Sequence, residues 1–113
     1  DCLEGLISGP ALRAQAGRPA EMLDDDDPLW GRAAAYLGEA LAAAAYVLAP
    51  HAIVLGGGVG RRDGFRQAVG NRLEAALGGY GHMPQLVAPR FEHSGLMGAF
   101  LLAESAAGAT PRV

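Results

Sequence analysis

Apolar residues recur at helical spacing over most of this chain, broken twice by short continuous runs. Leu3, Leu6, Ile7, Ala11, Leu12 and Ala16 lie on one helical face, but Ser8-Gly9-Pro10 interrupts them. Proline inside a helix costs about 3 kcal/mol, yet is tolerated in a first turn. The pattern therefore predicts a short helix, a restart at Ser8, and a second helix ended by Gly17 with Pro19 just beyond. Residues 18–27 are polar. Asp27 is placed to cap, and Pro28 to open, a helix over residues 29–48. Its apolar positions are 29, 33, 36, 37, 40, 41, 44, 47 and 48, a wide stripe of period 3.6. The other positions are mostly Ala and Gly, so a second helix can approach closely. Tyr36 and Tyr46 are expected to pack rather than to bind a ligand. Pro50 stops this helix.

Ile53, Val54 and Leu55 then form an apolar run typical of a strand covered on both faces. Gly56, Gly57 and Gly58 follow at once. Asp63 is expected to cap a helix over residues 65–77, with Phe65, Val69, Leu73, Ala76 and Leu77 buried and Gly78-Gly79 at its end. Residues 85–88 read as a second short strand. Ser94 is expected to cap a last helix from Gly95 to about Ala106, with Leu96, Phe100 and Leu101 as core candidates. A frayed tail over residues 108–113 is expected. Strands separated by helices imply parallel pairing and an α/β layer arrangement. Two or three short strands make a thin sheet, which further chain would have to complete. The opening Asp-Cys-Leu-Glu carries no initiator Met, and the expectation is a piece of something longer.

The glycines after the strand are the first candidate for chemistry. Glycine lets another group approach the backbone closely. A strand ending in exposed N–H groups, followed by a helix, suits a phosphate or ribose. A tight turn with no ligand fits the same residues. A dinucleotide fingerprint would need a third glycine where Arg61 stands, and a P-loop needs a Lys, which the chain lacks.

At 113 residues the chain suffices for one domain with a modest core. Much of its hydrophobic content is Ala, so the core is expected to depend on Leu, Ile, Val, Phe and Trp. The net charge is −3, and Asp24 to Asp27 form one acidic run. We read that run as a solvated loop favouring the next helix N-terminus, because four adjacent side chains cannot converge on one ion. No patch combines Arg with aromatics, which argues against nucleic acid as a partner. No apolar run reaches the roughly 18 residues of a membrane span. Cys2 is the only cysteine, so no internal disulfide forms, and a cytoplasmic location is expected.

Few other residues offer chemistry. Glu4 is an acid in an apolar segment, either a half-exposed helix carboxylate or an acceptor for a polyol. Cys2 is either a small hydrophobe or one metal ligand, and zinc wants four donors. His51, His82 and His93 are scattered and read as surface or capping residues. No Ser-His-Asp or Cys-His arrangement is evident.

Three stretches together carry a resemblance. Asp-Cys-Leu-Glu-Gly-Leu-Ile-Ser-Gly-Pro-Ala at 1–11, Ile-Val-Leu-Gly-Gly-Gly-Val at 53–59 and Gly-Leu-Met-Gly-Ala at 95–99 resemble, in this order and spacing, the C-terminal part of a ROK-family sugar kinase. The first stretch is most similar to the bacterial fructokinase branch. The resemblance covers residues 1 to about 106. It implies the C-terminal lobe of an actin-like, hexokinase-type ATPase fold of the ribonuclease H-like kind over residues 1–107, with the N-terminal lobe absent. It implies that Glu4 binds sugar hydroxyls, and that Ser8, Gly9, Gly56, Gly57 and Gly58 face the nucleotide. It implies that Cys2 is the last ligand of a structural Zn²⁺ whose other ligands lie upstream. The activity implied is transfer of the γ-phosphoryl group of ATP to a hexose, with Mg²⁺. The catalytic Asp of the family lies in the N-terminal lobe, so no catalytic residue is expected in this chain, which alone should be inactive. Family members often carry Asp-Ala where this chain has His93-Ser94. A homodimer is the implied assembly.

Two other readings compete. The family also contains repressors that join this sugar-binding fold to a helix-turn-helix, and the spacing of Cys2, Leu3, Glu4 and Gly5 favours the kinase. A non-catalytic assembly module, pairing through the apolar face of the helix at 29–48, is the other.

Overall fold

A computed structural model describes residues 2–108. Helix α1 (Glu4–Ile7) is a single turn, and α2 (Gly9–Ala16) follows directly. The chain changes direction at Ser8, whose backbone is extended and whose hydroxyl accepts from the N–H of Ala11 at 3.3 Å. This is the restart that Pro10 demands, since the proline falls within the first turn of the new helix. Gly17 ends α2 at φ 70°, and a 3-10 turn (Ala20–Met22) leads into the acidic loop. The Asp27 carboxylate caps α3 (Pro28–Leu48), accepting from the N–H of Leu29 at 2.9 Å.

After α3 come β1 (Ala52–Val54), the short helix α4 (Gly57–Gly60), α5 (Asp63–Leu77), β2 (Gln85–Val87) and α6 (Ser94–Ala106). The two strands pair in parallel, Ile53 opposite Leu86. Parallel strands need a crossover, and α4 with α5 supplies it.

The main packing contact is α3 against α5. One cluster joins Leu12, Leu23, Trp30, Ala34, Leu55, Phe65 and Val69, tying α2 and β1 to both helices. A second, nearer the far end of the helices, joins Ala42, Ala45, Leu73 and Leu77. Burying each Leu, Val or Phe stabilises by about 1.5–3 kcal/mol. Trp30 meets Phe65 edge-on with centroids 5.9 Å apart, and its Nε1 donates to the Asp24 carbonyl at 3.0 Å. That bond fixes the acidic loop against the core.

Several expectations are corrected. The buried face of α3 is Trp30, Ala33, Ala34, Gly38, Ala42 and Ala45, whereas Tyr36, Val47 and Leu48 are exposed. The helix is rotated toward its small residues because these let α5 come close, and Ala thereby joins the core. Tyr46 instead lies against Tyr80, centroids 5.6 Å apart, and donates to the Leu77 carbonyl at 3.3 Å, at the end of α5. Asp63 and Ser94 are the first residues of their helices rather than caps, and neither helix has a side-chain cap. Asp63 pairs with Arg66. The strand is not covered on both faces: only Ile53 is half-buried, Ala52 and Val54 are exposed, and Val54 is 60% exposed. Helix α6 buries no residue, and Leu96 and Phe100 are exposed while Leu101 is half-buried. The radius of gyration, 15.9 Å, exceeds the roughly 13 Å of a closed domain of this length. The tail beyond residue 108 lies outside the described residues. No helix among the described residues is long and apolar enough to cross a membrane.

Gly38 marks where α3 and α5 approach most closely. A Cβ there would stand 2.5 Å from the Arg72 Cβ and 3.0 Å from the Leu73 backbone nitrogen. Alanine would gain about 1 kcal/mol of helix propensity and lose about 2–3 kcal/mol to overpacking, the upper part of the usual range for so close an approach. Gly38→Ala should therefore lower stability by about 1–2 kcal/mol, read as a reduced melting temperature. An unchanged or raised melting temperature would contradict this packing.

Candidate functional site

The end of β1 opens onto a cleft of about 300 Å³ between the α1–α2 corner and the glycine turn. Ile7, Ser8 and Gly9 line one wall, and Leu55 to Gly60 line the other. Ile53 and Leu55 anchor the strand beneath, held in register by the bond from the Leu55 N–H to the Val87 carbonyl at 3.0 Å. Gly56 is extended, and Gly57 turns at φ 77° into the single turn of α4. A side-chain-bearing residue would be strained at Gly57, so the sharp change of direction requires glycine.

The glycines here serve different ends. A Cβ at Gly60 would stand 3.0 Å from the Leu55 carbonyl carbon, so this buried glycine permits the turn to fold back on the strand. A Cβ at Gly57 or Gly58 would meet nothing within 4 Å, and both residues are exposed. The bare backbone at 57 and 58 therefore faces open space rather than protein. Pro89 and Ser94 lie beside Gly56, so the start of α6 borders the turn.

The cleft is lined by backbone, by aliphatic side chains, by the Phe65 ring and by Ser8, with no charged side chain. Charge stands on either side. Arg61 lines a recess with Gly57 and the start of α6, and Arg62 lines another with Gly9 and Gly58. Such a site suits a ligand that lies close against main chain and carries its own charge.

The structure thus brings Ser8 and Gly9 beside Gly56, Gly57 and Gly58. It does not bring Glu4 or Cys2 into that cleft. Glu4 is exposed on α1, one turn before Ser8, where its carbonyl accepts from the Ser8 N–H at 3.0 Å. Cys2 is exposed, and no group of three His, Cys, Asp or Glu side chains among the described residues is arranged to hold a metal. His51 and His82 flank the opposite end of the sheet, with ring centroids 6.2 Å apart, a proximity created by the parallel pairing. His93 lies just before α6. Sequence reading missed Trp30, Arg62 and Asp25, which form one group beside the cleft. The only signal for it is that Arg62 falls directly after the glycine turn.

Comparison with known proteins gives a consistent result. A profile of the ROK family matches residues 1–106. A fructokinase from Lactococcus lactis subsp. cremoris is 36% identical over 84 residues, covering 74% of this chain and 29% of the relative. A fructokinase from Pediococcus pentosaceus is 33% identical over 110 residues, covering 93% of this chain and 38% of the relative. The crystal structure of a ROK hexokinase from Thermus thermophilus superposes with a TM-score of 0.70 at 30% identity, over 92% of this chain and 42% of that one. The chain therefore spans well under half the length of these relatives.

Two glycines of the turn should behave oppositely. Gly60→Ala should lower stability by about 1–2 kcal/mol, because the contact is with backbone that cannot give way. Gly58→Ala should be neutral or stabilising by up to about 1 kcal/mol, since its Cβ enters open space. Thermal unfolding of both variants checks this, and a Gly58 variant as unstable as the Gly60 one would show the turn misread.

Proposed function

The chain belongs to the ROK family, has the parallel α/β architecture of an actin-like, hexokinase-type ATPase, and on that premise we propose that the full-length protein is a cytoplasmic ATP-dependent sugar kinase. Its substrate in this reading is a hexose, with fructose converted to fructose 6-phosphate. The observation that carries the proposal is the cleft, where Ser8 and Gly9 meet Gly56, Gly57 and Gly58 with backbone exposed. The similarity to two fructokinases favours fructose.

Phosphoryl transfer is catalysed mainly by positioning and charge neutralisation. In this reading the bare backbone at Gly57 and Gly58 lets the nucleotide lie against the main chain, where a side chain would keep it away. The Ser8 hydroxyl already accepts from Ala11 and keeps its own hydrogen to donate to the nucleotide. The Glu4 carboxylate, free on the surface of α1, accepts from sugar hydroxyls. The attacking sugar oxygen bonds to the γ-phosphorus as the bond to the bridging oxygen of ADP breaks. The hydroxyl proton passes to an aspartate outside these 113 residues.

Mg²⁺ supplies charge neutralisation at the phosphates. The described residues contain no group of three ligands for a metal, so they offer no metal cage of their own. The same holds for zinc. Cys2 by itself does not fit a structural zinc site, which needs four donors, and no step here depends on one.

The test is a coupled ADP-release assay on the full-length protein with ATP, Mg²⁺ and a panel of hexoses. Turnover should be fastest on fructose. Glu4→Gln should raise the KM for the sugar roughly tenfold or more, the value of a charge-assisted hydrogen bond. Gly58→Ala should instead raise the KM for ATP. No turnover on any hexose would overturn the kinase and favour the sugar-sensing repressor.

A further inference from the structure

The end of the sheet away from the cleft brings two imidazoles together. His51 stands directly before β1, and His82 stands shortly before β2. Their ring centroids are 6.2 Å apart and their planes are inclined at 53°. The whole of α4 and α5 separates them in the chain, so it is the parallel pairing of the strands that makes them neighbours. Both are exposed, and an ion can reach them from solvent.

The backbone is held at both histidines. Pro50 precedes His51, and the His51 carbonyl accepts from the Gln85 N–H at 3.0 Å. On one side of His82, Pro84 is fully buried. On the other, Tyr80 donates its N–H to the Leu77 carbonyl at 2.9 Å, and its ring lies against Tyr46 with centroids 5.6 Å apart. Only the two side chains are left to turn.

Two imidazoles on one tetrahedral ion, each bound at about 2.0–2.1 Å, have their centroids about 5 Å apart. The pair therefore needs to close by only about 1 Å, a small rotation for two exposed side chains. Imidazole nitrogen suits zinc, copper and nickel, whereas Mg²⁺ and Ca²⁺ take oxygen. No third His, Cys, Asp or Glu among the described residues completes a ligand set, so water fills the other positions.

We propose that His51 and His82 chelate one divalent transition-metal ion across the start of the two strands. The ion staples β1 to β2 where the crossover leaves and rejoins the sheet. A link between residues far apart in the chain closes a long loop, and an ion held only by the folded form stabilises that form. The sheet it ties has strands of only three residues each and carries the glycine turn at its other end. The site shares no residue with the cleft or with the segment around Cys2, and it does not depend on the kinase reading.

Calorimetric titration and thermal unfolding of the full-length protein with Ni²⁺ and with Zn²⁺ would compare wild type with His51→Ala, His82→Ala and the double variant. Wild type should bind one more equivalent of Ni²⁺ than any variant. Saturating Ni²⁺ should raise its melting temperature by several degrees. Losing either ligand should weaken that equivalent by roughly a hundredfold or more, beyond the cost of losing an outer-shell partner. In a chelate each single variant loses the whole effect, and the double variant loses no more. Mg²⁺ should bind equally to wild type and variants. His51→Gln and His82→Gln remove the imidazole but keep a polar side chain, and carry the test if an alanine variant does not fold. Equal Ni²⁺ binding by wild type and variants overturns the chelate. So does a partial loss in each single variant that sums in the double one, the behaviour of two separate surface histidines.

Discussion

The close approach of α3 to α5 at Gly38 is the contact on which the rest of the structure depends. A bare Cα there lets the α3 surface settle against Arg72 and Leu73. The two helices then hold both hydrophobic clusters, one of which seats β1 through Leu55. β1 in turn sets where the glycine turn begins. A helix face of Trp, Ala and Gly thus controls the site at a distance, through rigid packing rather than through any direct contact with a ligand.

The turn itself combines two demands that only glycine meets together. Gly60 must fold back onto the Leu55 carbonyl, and Gly57 must adopt a left-handed backbone. Gly58 answers neither demand, since space around it is open. It stands exposed on the wall of the cleft, with no packing neighbour that requires a glycine. Arg62 makes the complementary case. Its pairing with a highly exposed Asp25 adds little stability, on the order of 0–1 kcal/mol. The pairing and the contact with Trp30 matter instead because they fix the orientation of the guanidinium.

The apolar surfaces left open form a pattern. Val54 on the sheet, and Leu96, Phe100 and Leu102 on α6, are exposed. Two strands bury one face against α3 and α5, and nothing among the described residues covers the other. The chain spans 38% of a fructokinase that matches 93% of it. In a longer protein these are the surfaces against which further strands and helices would have to pack.

Much of this was legible in the sequence. Ser8 before Gly9-Pro10, Asp27 before Pro28, and the glycines at 17 and 78 act through local hydrogen bonding and backbone conformation. Those forces depend on neighbours in the chain, so helix restarts and ends follow from them directly. The apolar run at 53–55 and the three glycines likewise located the strand and its turn. Periodicity was less informative about faces. It placed Tyr36, Val47 and Leu48 on the inner stripe of α3, because hydropathy cannot tell that Gly38 and Ala42 permit the closer contact. It placed Leu96 and Phe100 in a core, because an apolar residue says only that burial is favourable, not that a partner is present. The meeting of Ser8 and Gly9 with Gly58 was implied by the family resemblance and not by the residues themselves, and that of Trp30 and Asp25 with Arg62 was decided by tertiary structure alone. These residues are distant in the chain, and only the packing of α2, α3 and α5 around one strand brings the first set to the cleft and the second beside it.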